Sequence, residues 1–376
     1  MMRRKQRKKA LVLAGGGIMG AAYEIGVLTA LDRLFASSFS VNRFDTYLGI
    51  SAGSIIATLA ANRIRPADIF TAIARDERRV FNWRRKDIYR FDFKQSVVAG
   101  FELFANLFRI SRHHRKQNWK FNLHDFVYIL QEQFPSGLFA LDPMQKYLCS
   151  AFRQENMRDR FDDLKAELFI PAYDLDRGER VIFGSEGYRD CHICEAITAS
   201  CAIPYFFRPY RIGKSDYIDG SSGKVLHLDI AIERGADLIV VVNPRVPIDN
   251  DPEHACLPSL SYGECSNISK LGLNFSWEQA RRIEAKENIE IALEGYRKKY
   301  PKVDIVLFEP GRDESLLFFQ NPMSMIARTQ TMAYGYSTML GQLKLRFDEL
   351  DPIFKRNGID ITKERLDQPA PVEVGL

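Results

Sequence analysis

No stretch of the 376 residues approaches the ~18 consecutive apolar positions that a membrane-crossing helix requires, so any meeting with a bilayer is expected at its surface. A secretory leader is not expected either. After the basic start MMRRKQRKK only Ala10 to Ala14 are continuously apolar before the glycines begin, whereas a leader core needs ~7 to 15 such residues. Cysteine is scarce. Cys149, Cys191, Cys194, Cys201, Cys256 and Cys265 show no spacing that suggests a disulfide framework. A reducing, cytoplasmic setting is therefore expected, with peripheral contact at the inner face of a membrane. Cys191 and Cys194 form a C-x-x-C, but no second pair follows at zinc spacing, which argues against a metal or redox role. Histidine is scarce as well, with six in the chain, and there is no internal repeat or low-complexity tract.

Hydrophobic residues make up 46% and charged residues 27%, enough apolar side chain for one large globular domain. Ala10 to Ala14 ends in glycine, and apolar positions at Ile18, Ala22, Ile25, Leu28, Leu31 and Leu34 then recur at helical spacing. Phe44 to Ile50 followed by Ala52 to Asn62 repeats this strand-to-helix pattern, with Ser51 at the turn. Further strands are predicted at Glu167 to Tyr173, Arg180 to Phe183, Asp237 to Asn243 and Val303 to Phe308. Helices are predicted at Ile193 to Ser200, Leu228 to Arg234 and Trp277 to Lys299. Alternating strands and helices imply an α/β fold of three layers, with a mainly parallel sheet covered on both faces.

Two glycine-containing turns carry chemistry. Gly49-Ile50-Ser51-Ala52-Gly53 is a G-x-S-x-G sequence between an apolar strand and a small-residue helix, the context in which a tight turn exposes a serine hydroxyl. A helix-capping serine fits the same five residues. Gly15-Gly16-Gly17-Ile18-Met19-Gly20 also joins strand to helix, and consecutive glycines let backbone amides approach an anion. Without the Lys-Ser/Thr ending of a P-loop, and next to a serine elbow, these amides suit an oxyanion hole. A nucleophilic serine needs a base, and the histidines offer little. His113, His114 and His124 lie in a basic segment, His192 at a helix start and His254 in a proline-rich loop, which leaves His227 as the one histidine candidate. Asp219-Gly220 ends a short apolar stretch in a turn that can present a carboxylate, although an isolated Asp-Gly is usually only a turn.

Taken together, GGGIMG at 15–20, GISAGS at 49–54 and DGS at 219–221 resemble, in order, the glycine loop, serine elbow and aspartate motif of the patatin-like phospholipase family. AITASCAIPYFFRPY at 196–210 is similar to the stretch that precedes the family's aspartate. The likeness runs over roughly 9–245 and continues more weakly to about 345. It implies a patatin-like fold, Ser51 as nucleophile, Asp219 as base, Gly15, Gly16 and Gly17 as oxyanion loop, and Gly20, Gly49, Gly53 and Gly220 as motif glycines. It also implies no metal or other cofactor. The implied substrate is a phospholipid, lysophospholipid or other acyl-ester lipid. Two positions depart from the family pattern: Met19 stands where Arg or Lys is common, and Ser221 replaces a second Gly or Ala. The same dyad serves transfer of the acyl group to an alcohol, and a lipid-binding scaffold with a weak site is the non-enzyme alternative. An α/β-hydrolase or malonyl-transferase-like enzyme would want a histidine partner that no motif here supplies.

Residues 75–120 hold thirteen Lys or Arg against five Asp or Glu, a net +8 in a chain of net +5. Within them Val97 to Ile110 is apolar and aromatic with basic clusters on both sides, as an interfacial segment would be, or as a helix burying its Phe101, Phe104 and Phe108 face. The expected organisation is a basic tail (1–8), a catalytic domain (9–245) with a helical basic cap inserted at about 75–145, a helical C-terminal extension completing the sheet (246–350), and a loose tail (351–376). Residues 84–120 are the expected membrane contact. Nucleic acid is not an expected partner, since no binding motif accompanies the charge.

Overall fold

The computed structural model describes residues 7–77, 82–91 and 135–372, apart from 225, 252, 254, 255, 260–262, 314–316, 318–324 and 369. The interfacial segment expected at 97–110 and most of the basic stretch 84–120 lie outside the described residues, as do His113, His114, His124 and His254.

In chain order, β1 (Lys8–Leu13), α1 (Gly17–Leu34), β2 (Thr46–Gly49), α2 (Gly53–Ala61) and α3 (Pro66–Ala74) open the fold. After α4 (Arg85–Ile88) and β3 (Arg90–Phe91) come β4 (Gly137–Ala140), α5 (Asp142–Gln154), β5 (Glu167–Asp174), β6 (Glu179–Phe183) and α6 (Ile193–Ser200). Next are β7 (Tyr205–Phe207), β8 (Tyr210–Ile212), β9 (Ser215–Asp219), α7 (Leu228–Glu233) and β10 (Ala236–Val242). The chain closes with α8 (Leu273–Lys299), β11 (Asp304–Phe308), α9 (Met325–Leu345) and α10 (Phe347–Arg356).

The main sheet runs β11-β10-β1-β2-β5-β9-β8, with β6 also paired to β5. Its first five strands are parallel, whereas β6, β9 and β8 form antiparallel pairings at the other edge. Period-2 alternation divides the core between the two faces. On β1, Leu11 and Leu13 join the cluster under α1, α2 and α9, while Ala10 and Val12 join the cluster under α7 and α8. Helices therefore cover both faces of a central, mostly parallel sheet, as the alternation of strands and helices predicts.

Two expectations need correction. Four of the six cysteines are paired, Cys149 with Cys194 and Cys256 with Cys265. The first pair forms because α5 and α6 pack side by side, a contact across 45 residues that sequence spacing cannot reveal. The inference of a reducing compartment loses its basis with it. The stretch expected as a loose tail begins inside α10 and then packs: Thr362 N–H donates to Leu34 O at 2.8 Å, and Ile359 and Leu366 are buried.

Candidate active site

Parallel register brings three chain reversals to one edge of the sheet. Leu13 of β1 lies beside Val242 of β10 and Gly49 of β2, so the segments following all three strands converge there. From the antiparallel side, β9 pairs with β5 so that Asp219 lies beside Ala172. Its backbone N–H donates to Ala202 O, just past the end of α6, at 2.9 Å.

Ser51 adopts φ 52°, a left-handed conformation uncommon for a residue with a Cβ. Such strain marks a serine elbow, in which the hydroxyl is pushed out of a strand-to-helix turn. Gly53 makes the turn possible, because a Cβ there would meet Leu13 O at 2.6 Å and the Gly15 amide nitrogen at 2.8 Å. The backbone of Ser51 is fully engaged: its N–H donates to Ser200 Oγ at 2.9 Å, and its carbonyl accepts the Ser54 N–H at 2.9 Å. Ser200 passes the tie on by donating its hydroxyl to Pro171 O at 2.7 Å.

Asp219 is buried, and burial pushes its carboxyl above the ordinary carboxylate range. The nearby Ser51 hydroxyl, the Ser221 N–H and hydroxyl, and the Arg245 charge pull the other way. Its Oδ1 accepts the Ser221 N–H at 2.7 Å, whereas Oδ2 has no hydrogen-bond partner. Ser51 and Asp219 are thus brought together, with the Ser51 hydroxyl among the groups that favour the Asp219 charge.

The glycine loop lies alongside. Gly15, Gly16 and Gly17 all have positive φ, and the Gly15 amide is occupied by Glu24 Oε1 at 2.9 Å. Gly16 and Gly17 therefore remain as donors, since their amides have no protein acceptor among the described residues. Both line a cavity of about 390 Å³ together with Ser51 and Asp219. Its remaining wall is mostly apolar and includes Ile55, Trp83, Met144, Phe206 and Phe207. Cys201 also lines it, but burial pushes its thiol up, so it stays protonated and poorly nucleophilic.

His227, the histidine candidate for a base, is placed elsewhere. Its Nε2 donates to Gly220 O at 2.9 Å, and Nδ1 faces Arg180 at 3.3 Å. Burial lowers its pKa to about 4, so it is neutral and buttresses the turn after Asp219. His192 pairs with Asp159 at the start of α6.

Glu24, Ser200 and Arg245 are the site residues that the sequence reading passes over. Only Glu24 carries a signal, as a single acid within the apolar run of α1. Burial holds its carboxyl well above the usual range, and its Oε1 accepts the Gly15 N–H. Ser200 and Arg245 acquire their places only through tertiary contacts.

The model of the family described as patatin-like phospholipase matches residues 11–231. A probable lipid hydrolase of Invertebrate iridescent virus 6 is 25% identical over 231 residues, covering 60% of this chain and 63% of the viral protein. The chain thus spans less than two thirds of that relative. Among solved structures, VipD from Legionella pneumophila has a TM-score of 0.36 at 13% identity, covering 90% of this chain and 67% of VipD. The ExoU–SpcU complex of Pseudomonas aeruginosa has a TM-score of 0.28 at 16% identity, covering 94% and 63%.

Proposed function

Since the chain belongs to the patatin-like phospholipase family, we propose that it hydrolyses acyl esters of phospholipids or lysophospholipids, with Ser51 as nucleophile and Asp219 as general base. One observation supports this most: a strained serine with a fully engaged backbone sits beside a buried carboxylate whose Oδ2 has no partner. In the proposed reaction the Ser51 hydroxyl attacks the ester carbonyl while Asp219 Oδ2 takes its proton. The Gly16 and Gly17 amides hold the tetrahedral oxyanion, at the N-terminus of α1 whose dipole favours negative charge. Collapse of the intermediate breaks the bond to the alcohol, which leaves with the proton. Water then repeats the sequence on the acyl-enzyme, releasing the fatty acid and restoring Ser51. No step calls on an imidazole, in keeping with the place His227 occupies.

The test is removal of the base. Asp219→Asn is expected to lower esterase turnover ~100- to 10,000-fold, the usual worth of a positioned base. A serine-reactive fluorophosphonate should label the wild type and not Ser51→Ala. Wild-type turnover in Asp219→Asn would overturn the dyad, and absence of labelling in every form would favour a scaffold.

The proposal extends to the lipid surface. Phe91, Leu138, Tyr205, Phe206 and Trp277 are exposed aromatic or aliphatic side chains, and Phe206 and Trp277 also line the cavity. With the basic composition of 84–120, this rim suits an anionic bilayer surface. Sedimentation with anionic vesicles should be strong at low salt and fall as salt rises. Binding indifferent to lipid charge and to salt would refute electrostatic docking. In this reading 9–245 remains the catalytic unit, with the cap inserted at about 75–145.

A further inference from the structure

The charged groups around the cavity are unequally satisfied. Glu278 and Arg282 neutralise each other at 2.8 Å, and the remaining guanidinium nitrogens of Arg282 donate to Val246 O and Leu317 O. Asp87 accepts the Arg84 N–H at the start of α4. Lys224, close by in the chain, is taken by Asp229 at 2.8 Å. Arg245 differs from all of these. It follows β10 directly and its stem lies over the glycine loop, with Cγ 3.1 Å from where a Cβ on Gly16 would be. It lines the cavity, and among the described residues its side chain makes no hydrogen bond or ion pair; the acids nearest in effect, Glu278 and Asp219, act on it only through space. Arg281 also lines the cavity, stacked on Trp277, pairing loosely with the exposed Glu284 at 3.6 Å and reaching Ser221 O at 3.5 Å. A guanidinium presents five donors in a plane that matches the oxygens of a phosphate or carboxylate. Holding such a group partly out of water without an acceptor is costly unless a ligand supplies one.

We propose that Arg245, assisted by Arg281, forms an anion subsite next to Ser51 that selects acyl esters whose alcohol portion carries a phosphate. The inference rests on the cavity being the lipid site and deepens that reading. The cavity lining combines Ser51, Asp219, Ser221 and Arg245 with apolar side chains such as Ile55, Met144 and Phe207. In the proposal a single acyl chain packs on the apolar side chains and the phosphate sits against Arg245, with the ester at Ser51. At about 390 Å³, near the lower end of ligand cavities, the space favours one chain over two.

Binding tests this without turnover. Full-length Ser51→Ala protein is titrated with short-chain lysophosphatidate, lysophosphatidylcholine and monoacylglycerol, reading the fluorescence of Trp83 and Trp277 in the cavity wall. Lysophosphatidate is expected to bind ~10- to 100-fold more tightly than monoacylglycerol, the worth of one or two charge-assisted hydrogen bonds. Adding Arg245→Gln should collapse that ratio to near one, and Arg245→Lys should keep part of it, since the charge stays and the fork is lost. Because the ratio is taken within each variant, a general loss of affinity does not imitate the effect, and Arg245→Lys decides alone if Arg245→Gln does not fold. Lysophosphatidylcholine separates two sources of the anion: binding like lysophosphatidate assigns the subsite to the phosphodiester of a headgroup, and binding like monoacylglycerol assigns it to a phosphate monoester. Equal affinities in the parent protein, or a preference that survives Arg245→Gln, would overturn the proposal. Preference without any wild-type turnover would instead overturn the hydrolase reading and leave the subsite standing.

Discussion

The turn that carries Ser51 is set chiefly by close backbone contacts, with Ser200 Oγ accepting the Ser51 N–H, whereas the turn that carries Asp219 adds a chain of polar side chains to the close backbone fit of Gly220. At Ser51 a left-handed residue is followed by a helix whose first glycine touches the backbone of β1 and of the glycine loop. At Asp219 the following Gly220 is steadied by His227, His227 faces Arg180, and Arg180 is fixed by Asp229 at 2.8 Å. The proposed nucleophile is therefore positioned mainly by residues that must be small, and the proposed base by a small residue together with a chain of polar groups that must each keep a partner. The first kind of support fails abruptly and the second by degrees.

Gly53→Ala should break the comparison at its rigid side. The added Cβ would meet two backbone atoms that have no rotamer to yield, so the whole elbow must move. A displacement near 1 Å at a reacting group costs ~100-fold or more in rate. Fluorophosphonate labelling of Ser51 should fall at least that far, in protein whose thermal melt is recorded alongside. Labelling within a few-fold of wild type would mean that the elbow is more yielding than its contacts imply.

A smaller effect is expected on the side-chain-supported half. His227→Ala removes a neutral buried donor from Gly220 O, leaving a carbonyl unpaired at a cost of ~1–3 kcal/mol. If that falls on the position of Asp219, kcat should drop ~10-fold or more with KM little changed, at temperatures well below melting. His227→Gln, which keeps a donor, should recover part of the loss. A drop in melting temperature with kcat untouched would assign His227 to stability alone.

The same contrast explains what the sequence makes legible. Ala10 to Leu13 of β1 and Leu238 to Val242 of β10 are continuous apolar runs, because a parallel strand covered on both faces must be, and each is preceded or followed by helical spacing. Ser51 and the glycine loop stand out because backbone demands select residue types at fixed spacing. Asp219 does not, since an Asp-Gly turn is common and gains meaning only beside the other two motifs. Glu24, Ser200 and Arg245 are single polar residues whose partners are delivered by other elements, so no periodicity marks them. The C-terminal stretch reads as loose because Ile359 and Leu366 are isolated apolar residues, yet each finds a buried place once α10 sets the chain against α1.

The subtlest test of the side-chain half is titration. In the proposed dyad Asp219 must be ionised to take the Ser51 proton, so kcat/KM should rise with pH through the pKa of this group and fall as pH drops below it. Burial has already moved that limb above the ordinary carboxylate value, and the Ser221 hydroxyl is one of the groups that moves it partway back. Ser221→Ala keeps the backbone N–H that Oδ1 accepts and deletes only the hydroxyl. The neutral form of Asp219 then gains on the charged form, the pKa rises further, and the acid limb shifts to higher pH, while rates at alkaline pH converge with wild type. A limb that stays in place, or moves to lower pH, would mean that the Ser221 hydroxyl does not stabilise the carboxylate and that burial, the Ser51 hydroxyl, the backbone amide and Arg245 set its charge.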